Sequence, residues 1–299
     1  MGRGIPTKLA PSAVPQYDRG AGLALAARRV LDGLHAGQHR SPMVGSSLDF
    51  ADHRAYQDGD ELRSIDWKAY ARTDRLLVRR WHDDRQLPIA LLIDTSASMA
   101  YGAPPKSDQA RLAAAVLGLL AFSQGDRLRL LLGGRPGHIL PNEPNHLCAA
   151  LGTVADAGSS SLAGPATLLA TALSTLTQRH LLLVFSDLLD PPVELVAQAA
   201  ALRGRGHELA MIQVLDPTEM ALPPTWGSSR FIDPEPSSEA AIVDGDAADL
   251  AAVYATAFAA HQNELARGCA AAGADLLLLA TDADLTTTLG EWLARRGQR

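Results

Sequence analysis

A chain of 299 residues, 47% hydrophobic and 20% charged, is long enough to bury a sizeable core and leaves room for one large domain plus a smaller module. Its formal net charge of −6 argues against a general nucleic-acid binder, and it contains no uninterrupted apolar run of about 18 residues that would span a membrane. The charge is uneven: residues 1–85 hold 14 Lys/Arg against 11 Asp/Glu, and the remainder holds 13 against 22. Cys148 and Cys269 fit neither a zinc spacing nor a disulfide framework, which points to a reducing compartment. The first 17 residues lack the apolar core of a secretory signal, so a cytoplasmic location is expected.

Residues 1–20 carry prolines and glycines and read as a tail. Helical spacing of Leu23, Ala26, Val30, Leu31 and Leu34 predicts an amphipathic helix over 21–35. The segment 48–80 is too charged for a core and too rich in aromatics and Arg for a disordered linker. It admits two readings: a surface module with its ions paired, or a partner-contact surface using Arg54, Arg63, Trp67 and Arg72. Residues 87–93 form an apolar run bounded by breakers, the pattern of a buried parallel strand. Downstream, strands and helices alternate. Ser107 or Asp108 is expected to cap a helix running to about 123, followed by a strand over 127–132 and an antiparallel edge strand over 137–140. Helices over 145–154 and 162–177 precede a second buried strand over 180–187. A helix over 193–203 and a strand over 208–215 follow, then a loop over 218–245 with a small hairpin (230–233 and 240–243). A long helix over 246–271, a strand over 274–280 and a helix over 285–296 close the chain. This order predicts an α/β fold with a doubly wound, mainly parallel sheet.

The first buried strand ends on Asp94, and Ser96 and Ser98 follow at alternate positions. In open α/β sheets ligands sit beyond the carboxyl ends of the strands. One carboxylate and two hydroxyls there suit a hard cation such as Mg²⁺. The D-x-S-x-S pattern resembles the metal-ion-dependent adhesion site of von Willebrand factor A domains. That resemblance implies two more elements, an aspartate ending a neighbouring strand and a hydroxyl from a loop between helices. Asp187 satisfies the first. For the second, Gly158-Ser159-Ser160-Ser161 places Ser160 at the position where threonine is usual, with Ser161 and Thr167 as alternatives. In the resembled site the hydroxyls of Ser96 and Ser98 bind Mg²⁺ directly and Asp94 and Asp187 act through waters. Mn²⁺ or Ca²⁺ are the alternative ions.

A second resemblance rests on Phe50, Arg54, Tyr56, Gly59, Asp60, Arg63, Ile65, Asp66, Trp67, Ala71 and Arg72. The run F-x-x-x-R-x-Y-x-x-G-D-x-x-R-x-I-D-W, continued by Asp94, Ser96, Ser98 and Met99, resembles the bacterial domain of unknown function 58 family. The resemblance implies an adaptor working with MoxR-type AAA+ ATPases in the assembly of other complexes.

Catalytic motifs are weak by comparison. Asp282-Ala283-Asp284-Leu285-Thr286 matches the D-x-D-x-T of haloacid-dehalogenase-like phosphatases, but only 13 residues follow it and none is Lys. There is no G-x-S-x-G elbow and no P-loop. The expected organisation is a tail and helix over 1–35, an accessory segment over 36–84 and a von Willebrand A-like domain over 85–299. The expected function is a Mg²⁺-dependent protein-interaction module rather than an enzyme. A metal-dependent hydrolase using Asp94, Asp187 or Asp282, and a metal-free scaffold, are the alternatives.

Overall fold

A computed structural model describes residues 21–38, 50–55, 70, 76–81, 87–133, 137–141, 143–156, 164–232 and 242–297. The chain divides into two compact units, residues 38–86 and the combination of 1–37 with 87–299. The described part of the smaller unit is chiefly an antiparallel pair, β1 (Phe50–Ala55) and β2 (Leu77–Trp81), in which Arg54 lies opposite Val78.

In the larger unit, α1 (Ala21–Gln38) precedes β3 (Ile89–Ile93), α2 (Lys106–Ser123), β4 (Leu128–Leu132), β5 (His138–Ile139), α3 (Pro144–Asp156) and α4 (Pro165–Thr175). There follow β6 (Leu181–Ser186), α5 (Pro192–Gly204), β7 (Glu208–Leu215), the one-turn α6 (Pro217–Met220), and a hairpin of β8 (Ser228–Ile232) with β9 (Ile242–Asp246). The chain then runs through α7 (Ala247–Ala272), β10 (Asp275–Ala280) and α8 (Leu285–Arg296). Six strands form one sheet in the order β10-β7-β6-β3-β4-β5, parallel throughout except for the antiparallel edge strand β5. The expected doubly wound sheet is therefore present.

The sheet is covered on both faces, which is why β3, β6 and β7 are nearly continuous apolar runs. Side chains alternate between the faces. Leu91, Ile93, Leu183, Phe185, Ile212 and Val214 join α1, α2, α3 and α8 in one core cluster. Ala90, Leu92, Leu182, Val184, Leu209 and Met211 join α4, α5 and α7 in the other. Each fully buried Leu or Ile in these layers contributes about 1.5–3 kcal/mol of transfer free energy. Helix α1 belongs to the first cluster through Leu23, Ala27 and Leu34. Helix α2 is buried on most of its circumference, and at Gly118 a Cβ would come within 2.5 Å of Leu147 Cδ2, so the close crossing of α2 with α3 requires glycine there.

Several local expectations are corrected. Helix α2 begins at Lys106 behind Pro105, with no side-chain cap; Ser107 and Asp108 lie inside the helix, and Asp108 instead binds the Arg111 guanidinium. The backbone N–H of Lys106 donates to Tyr101 O at 2.9 Å, so the preceding turn supplies the start. Helix α4 starts only at Pro165, whose missing N–H and fixed φ suit the first helical position. Within the expected loop after β7, Asp216 and Glu219 form a capping box that folds α6. The hairpin strands sit a few residues outside the expected limits, and residues 233–241 lie outside the described ones. Cys148 and Cys269 are both free and buried on opposite faces of the sheet. Burial pushes the Cys269 thiol up to about 11. No helix among the described residues is long and apolar enough to cross a membrane.

The amino-terminal end of the sheet carries a buried histidine pair. The His180 backbone N–H donates to His207 Nδ1 at 3.3 Å, which requires that nitrogen to be unprotonated. Burial lowers both pKa values below the ordinary imidazole value, and neighbouring positive charge adds to the effect. A depressed folded-state pKa gives stability that is present above the unfolded pKa and lost as pH falls through the folded one. Stability should therefore decline from about pH 6.5 downward, by up to about 1.4 kcal/mol per pH unit for each extra proton bound on unfolding. Urea midpoints measured between pH 7.5 and 5 should show a shallower acid limb in His207→Gln; superimposable limbs would refute this account.

Candidate metal centre

Asp94 follows β3 and Asp187 follows β6. These strands are parallel neighbours, with Ile93 paired to Phe185, and the Asp94 N–H donates to Phe185 O at 2.9 Å. Parallel pairing in this register brings both carboxylates to the carboxyl end of the sheet. The chain leaves β3 for β4 on one side and later returns to β6 on the other, so the pair marks the topological switch point, where open α/β sheets bind ligands.

Both carboxylates are buried, Asp94 at 0% and Asp187 at 3% exposure. Asp94 Oδ1 accepts the Ser96 N–H at 2.8 Å, and Oδ2 accepts the Ser186 hydroxyl at 2.5 Å. Burial drives the Asp94 pKa up to about 6; the Asp187 charge adds to the rise, while the Ser186 hydroxyl and Ser96 N–H oppose it. The hydroxyls of Ser96 and Ser98 lie 3.1 Å apart. Behind Asp187, the Gln213 amide donates to the Asp187 backbone O at 3.0 Å, and its buried Oε1 has no partner among the described residues. Leu188 holds φ +52°, left-handed backbone that costs a side-chain-bearing residue about 1–3 kcal/mol. Two groups fix this turn: Ser186 Oγ accepts the Leu188 N–H at 3.1 Å, and Leu188 O lies 2.9 Å from His261 Nε2.

Lys106 reaches the same place from the first residue of α2. Its ammonium lies 2.8 Å from Asp187 Oδ2 and 2.6 Å from Glu219 Oε1, with the side chain fully buried. Glu219 Oε2 accepts the Asp216 N–H at 2.9 Å, and Asp216 Oδ1 accepts the Thr218 N–H at 2.9 Å. Burial raises the Glu219 pKa, and the Lys106 charge offsets part of the rise. Gly102, at φ +97°, passes so close to Asp216 that a Cβ would lie 2.7 Å from its Oδ2.

The oxygen donors fit a small hard cation. Two ligands at adjacent corners of an octahedron with metal–oxygen distances of about 2.0–2.1 Å are themselves about 3 Å apart, which is the spacing of the Ser96 and Ser98 hydroxyls. A buried carboxylate whose pKa has risen is also one that a nearby cation would return to its ionised state. No group of three or more His, Cys, Asp or Glu able to hold a metal exists among the described residues, so any ion here depends on the serines. The site opens into a cleft of about 760 Å³, whose walls include Thr167, Leu222, Trp226, Phe231 and Ile232. A second hollow, of about 600 Å³, lies by Gly273, Trp292 and Arg295; its Arg296 pairs with Glu208 and Asp275.

The structure thus brings together Asp94, Ser96, Ser98 and Asp187. Ser160 and its alternative Ser161 lie outside the described residues, as do Arg63, Trp67 and Arg72; Arg54 is placed in β1. Thr167 is exposed in the first turn of α4. Asp284 serves as the N-cap of α8, accepting the Thr287 N–H at 3.0 Å, and Asp282 is exposed on the preceding turn. Sequence reasoning missed Lys106, Glu219 and the Ser186 hydroxyl. The available signals were a lysine at the first helical position, where the helix dipole disfavours a cation, and the D-x-x-E box at Asp216–Glu219.

A family model described as "Protein of unknown function DUF58" matches residues 52–264. Among curated proteins, the uncharacterized proteins Rv1480 of Mycobacterium tuberculosis and Mb1516 of Mycobacterium bovis are each 32% identical over 287 residues, covering 92% of this chain and 87% of theirs. Two solved structures are similar at low identity. One is the conserved hypothetical protein BatB from Bacteroides thetaiotaomicron, 10% identical with TM-score 0.43 over 71% of this chain and 100% of that one. The other is an aerotolerance-related membrane protein from Bacteroides fragilis, 12% identical with TM-score 0.42 over 70% and 97%.

Removing the Ser186 hydroxyl leaves Asp94 Oδ2 buried without its donor. Ser186→Ala is expected to lose about 1–3 kcal/mol of stability in urea unfolding, the usual penalty for an orphaned buried polar group. A variant as stable as the wild type would show that Asp94 does not depend on that bond.

Proposed function

The chain belongs to the DUF58 family, and from that premise we propose that it is a Mg²⁺-dependent protein-interaction module, an adaptor that works with a MoxR-type AAA+ ATPase. The observation that carries this reading is the pair of serine hydroxyls at adjacent-ligand spacing in front of a fully buried carboxylate, at the switch point of the sheet. Ser96 and Ser98 would hold the ion, with Ser160 as the third hydroxyl that the resemblance implies, and Asp94 and Asp187 would act through waters; Mn²⁺ or Ca²⁺ are the other ions such a hard set would accept. When bound, Mg²⁺ supplies a coordination position that a partner's Asp or Glu fills.

The chain's own residues explain why docking requires the ion. Asp187, Asp190, Glu194 and Glu219 line the cleft, and the Lys106 ammonium that pairs with Asp187 and Glu219 offsets only part of their charge, so an approaching carboxylate is repelled. Trp226, Phe231 and Ile232 form an apolar wall beside them, suited to the residues flanking that carboxylate. The carboxylates next to the hydroxyls keep the net charge low, which favours reversible capture of an anion over Lewis-acid catalysis. The ATPase as partner follows from the family resemblance, and Arg54, Arg63, Trp67 and Arg72 of the accessory segment are the second contact in this reading.

One observation favours a different reading, a metal-free scaffold: the Lys106 ammonium already occupies Asp187. Calorimetric titration of Mg²⁺ and Mn²⁺ into chelator-treated protein separates the two. Wild type should bind one ion, and Asp94→Ala should bind at least about tenfold more weakly while keeping the wild-type circular dichroism. Capture of a purified MoxR-type ATPase should disappear with EDTA and in Asp94→Ala. Capture that survives both treatments would defeat the adhesion-site reading.

A further inference from the structure

A lysine with no exposed surface is rare without a purpose-built partner set, and Lys106 has one made of two carboxylates, one just after β6 and one in α6. Of these, Asp187 belongs to the candidate metal site and Glu219 does not. The ammonium therefore sits at the border of the site, on the oxygen that faces away from Leu189: Asp187 Oδ1 accepts the Leu189 N–H at 3.4 Å, and Oδ2 accepts from Lys106 at 2.8 Å. With Asp94 engaged by Ser96 and Ser186, each carboxylate oxygen of Asp94 and Asp187 has a protein partner.

We propose that Lys106 is a built-in counter-ion that competes with the divalent cation for Asp187 and so sets the metal affinity of the site. The proposal rests on the metal-site reading above. Two features of the geometry support it. First, an ammonium and a dication drawn to one carboxylate repel each other across a few ångströms of buried, weakly screened space. Second, Lys106 has a place to stay when Asp187 turns to the ion, because Glu219 Oε1 holds the ammonium at the shorter distance of 2.6 Å. Glu219 is itself fixed through its other oxygen by the Asp216 N–H, which makes it a firm anchor. Exchange is then a change of one partner, with no charge left bare.

The class of ligand is a small divalent cation held by oxygen, and the effect of Lys106 is to weaken it. Replacing Lys106 by Met or Gln removes the competing charge. Titrations of Mg²⁺ and of Mn²⁺, followed by calorimetry and by the thermal shift at saturating metal, should show both ions binding about tenfold more tightly to the variants, a usual size for coupling between two sites. The metal-induced rise in Tm should exceed that of wild type, because in the variants the ion no longer has to displace an ammonium from Asp187. Should both variants fail to fold, the wild type decides. With selectively ¹³C,¹⁵N-labelled lysine, the Lys106 ε-methylene resonance, assigned with Lys106→Arg, should shift as Mg²⁺ is added.

Equal or weaker binding in the Lys106 variants, or a resonance that stays fixed while wild type binds Mg²⁺, overturns the counter-ion proposal and leaves the metal reading standing. Absence of binding in the wild type and in both folded variants overturns the metal reading and the proposal with it.

Discussion

Burying two carboxylates side by side is the constraint to which this end of the molecule answers. Parallel pairing of β3 with β6 leaves no choice in the matter, since strands that run together in this register finish together. Two such charges removed from water would be strongly unfavourable if unmatched. The protein matches them with backbone N–H groups, the Ser186 hydroxyl and one ammonium drawn from a helix start. The turn at Leu188 is part of the same solution. Its left-handed backbone is held by Ser186 on one side and His261 on the other, so strain accumulates beside Asp187 and the surrounding contacts over-determine it.

Glu219 extends this arrangement outward. One of its oxygens holds Lys106 and the other closes the capping box of α6, while its backbone carbonyl accepts the Tyr254 hydroxyl from α7. Leu188 O, near His261, is a second tie to the same helix. At about 1.5 Å rise per residue, the 26 residues of α7 extend for about 39 Å. The strand-end oxygens are thus linked through two main-chain carbonyls to a helix that is buried only at Ala247, Leu265 and Cys269.

The parts of the fold that were legible in the sequence were those governed by local pattern. The runs at 87–93, 180–187 and 208–215 stand out because both faces of each strand are covered, and their carboxyl-terminal aspartates mark the sheet's working edge. The α2 boundary was misjudged because Ser107 and Asp108 look like caps, whereas the helix already begins at Lys106. The Asp216–Glu219 capping box was present in the letters but hidden by the loop-like composition that follows. The Lys106 pairs are different in kind. They join residues 81 and 113 positions apart, and no local periodicity encodes such a meeting. The resemblance to an adhesion site named Asp94, Ser96, Ser98 and Asp187, but it carried no information about a cation supplied by the chain itself.

Because the oxygens of Asp94 and Asp187 all have partners within the chain, the folded unit does not need an ion to satisfy them. In zinc fingers, by contrast, the free energy of metal binding is the free energy of folding, and a chelator is a denaturant. Here N–H groups, a hydroxyl and an ammonium already match the carboxylates, so a chelator would uncover no charge. In the proposed reading, an ion would add to a surface that the fold has already built.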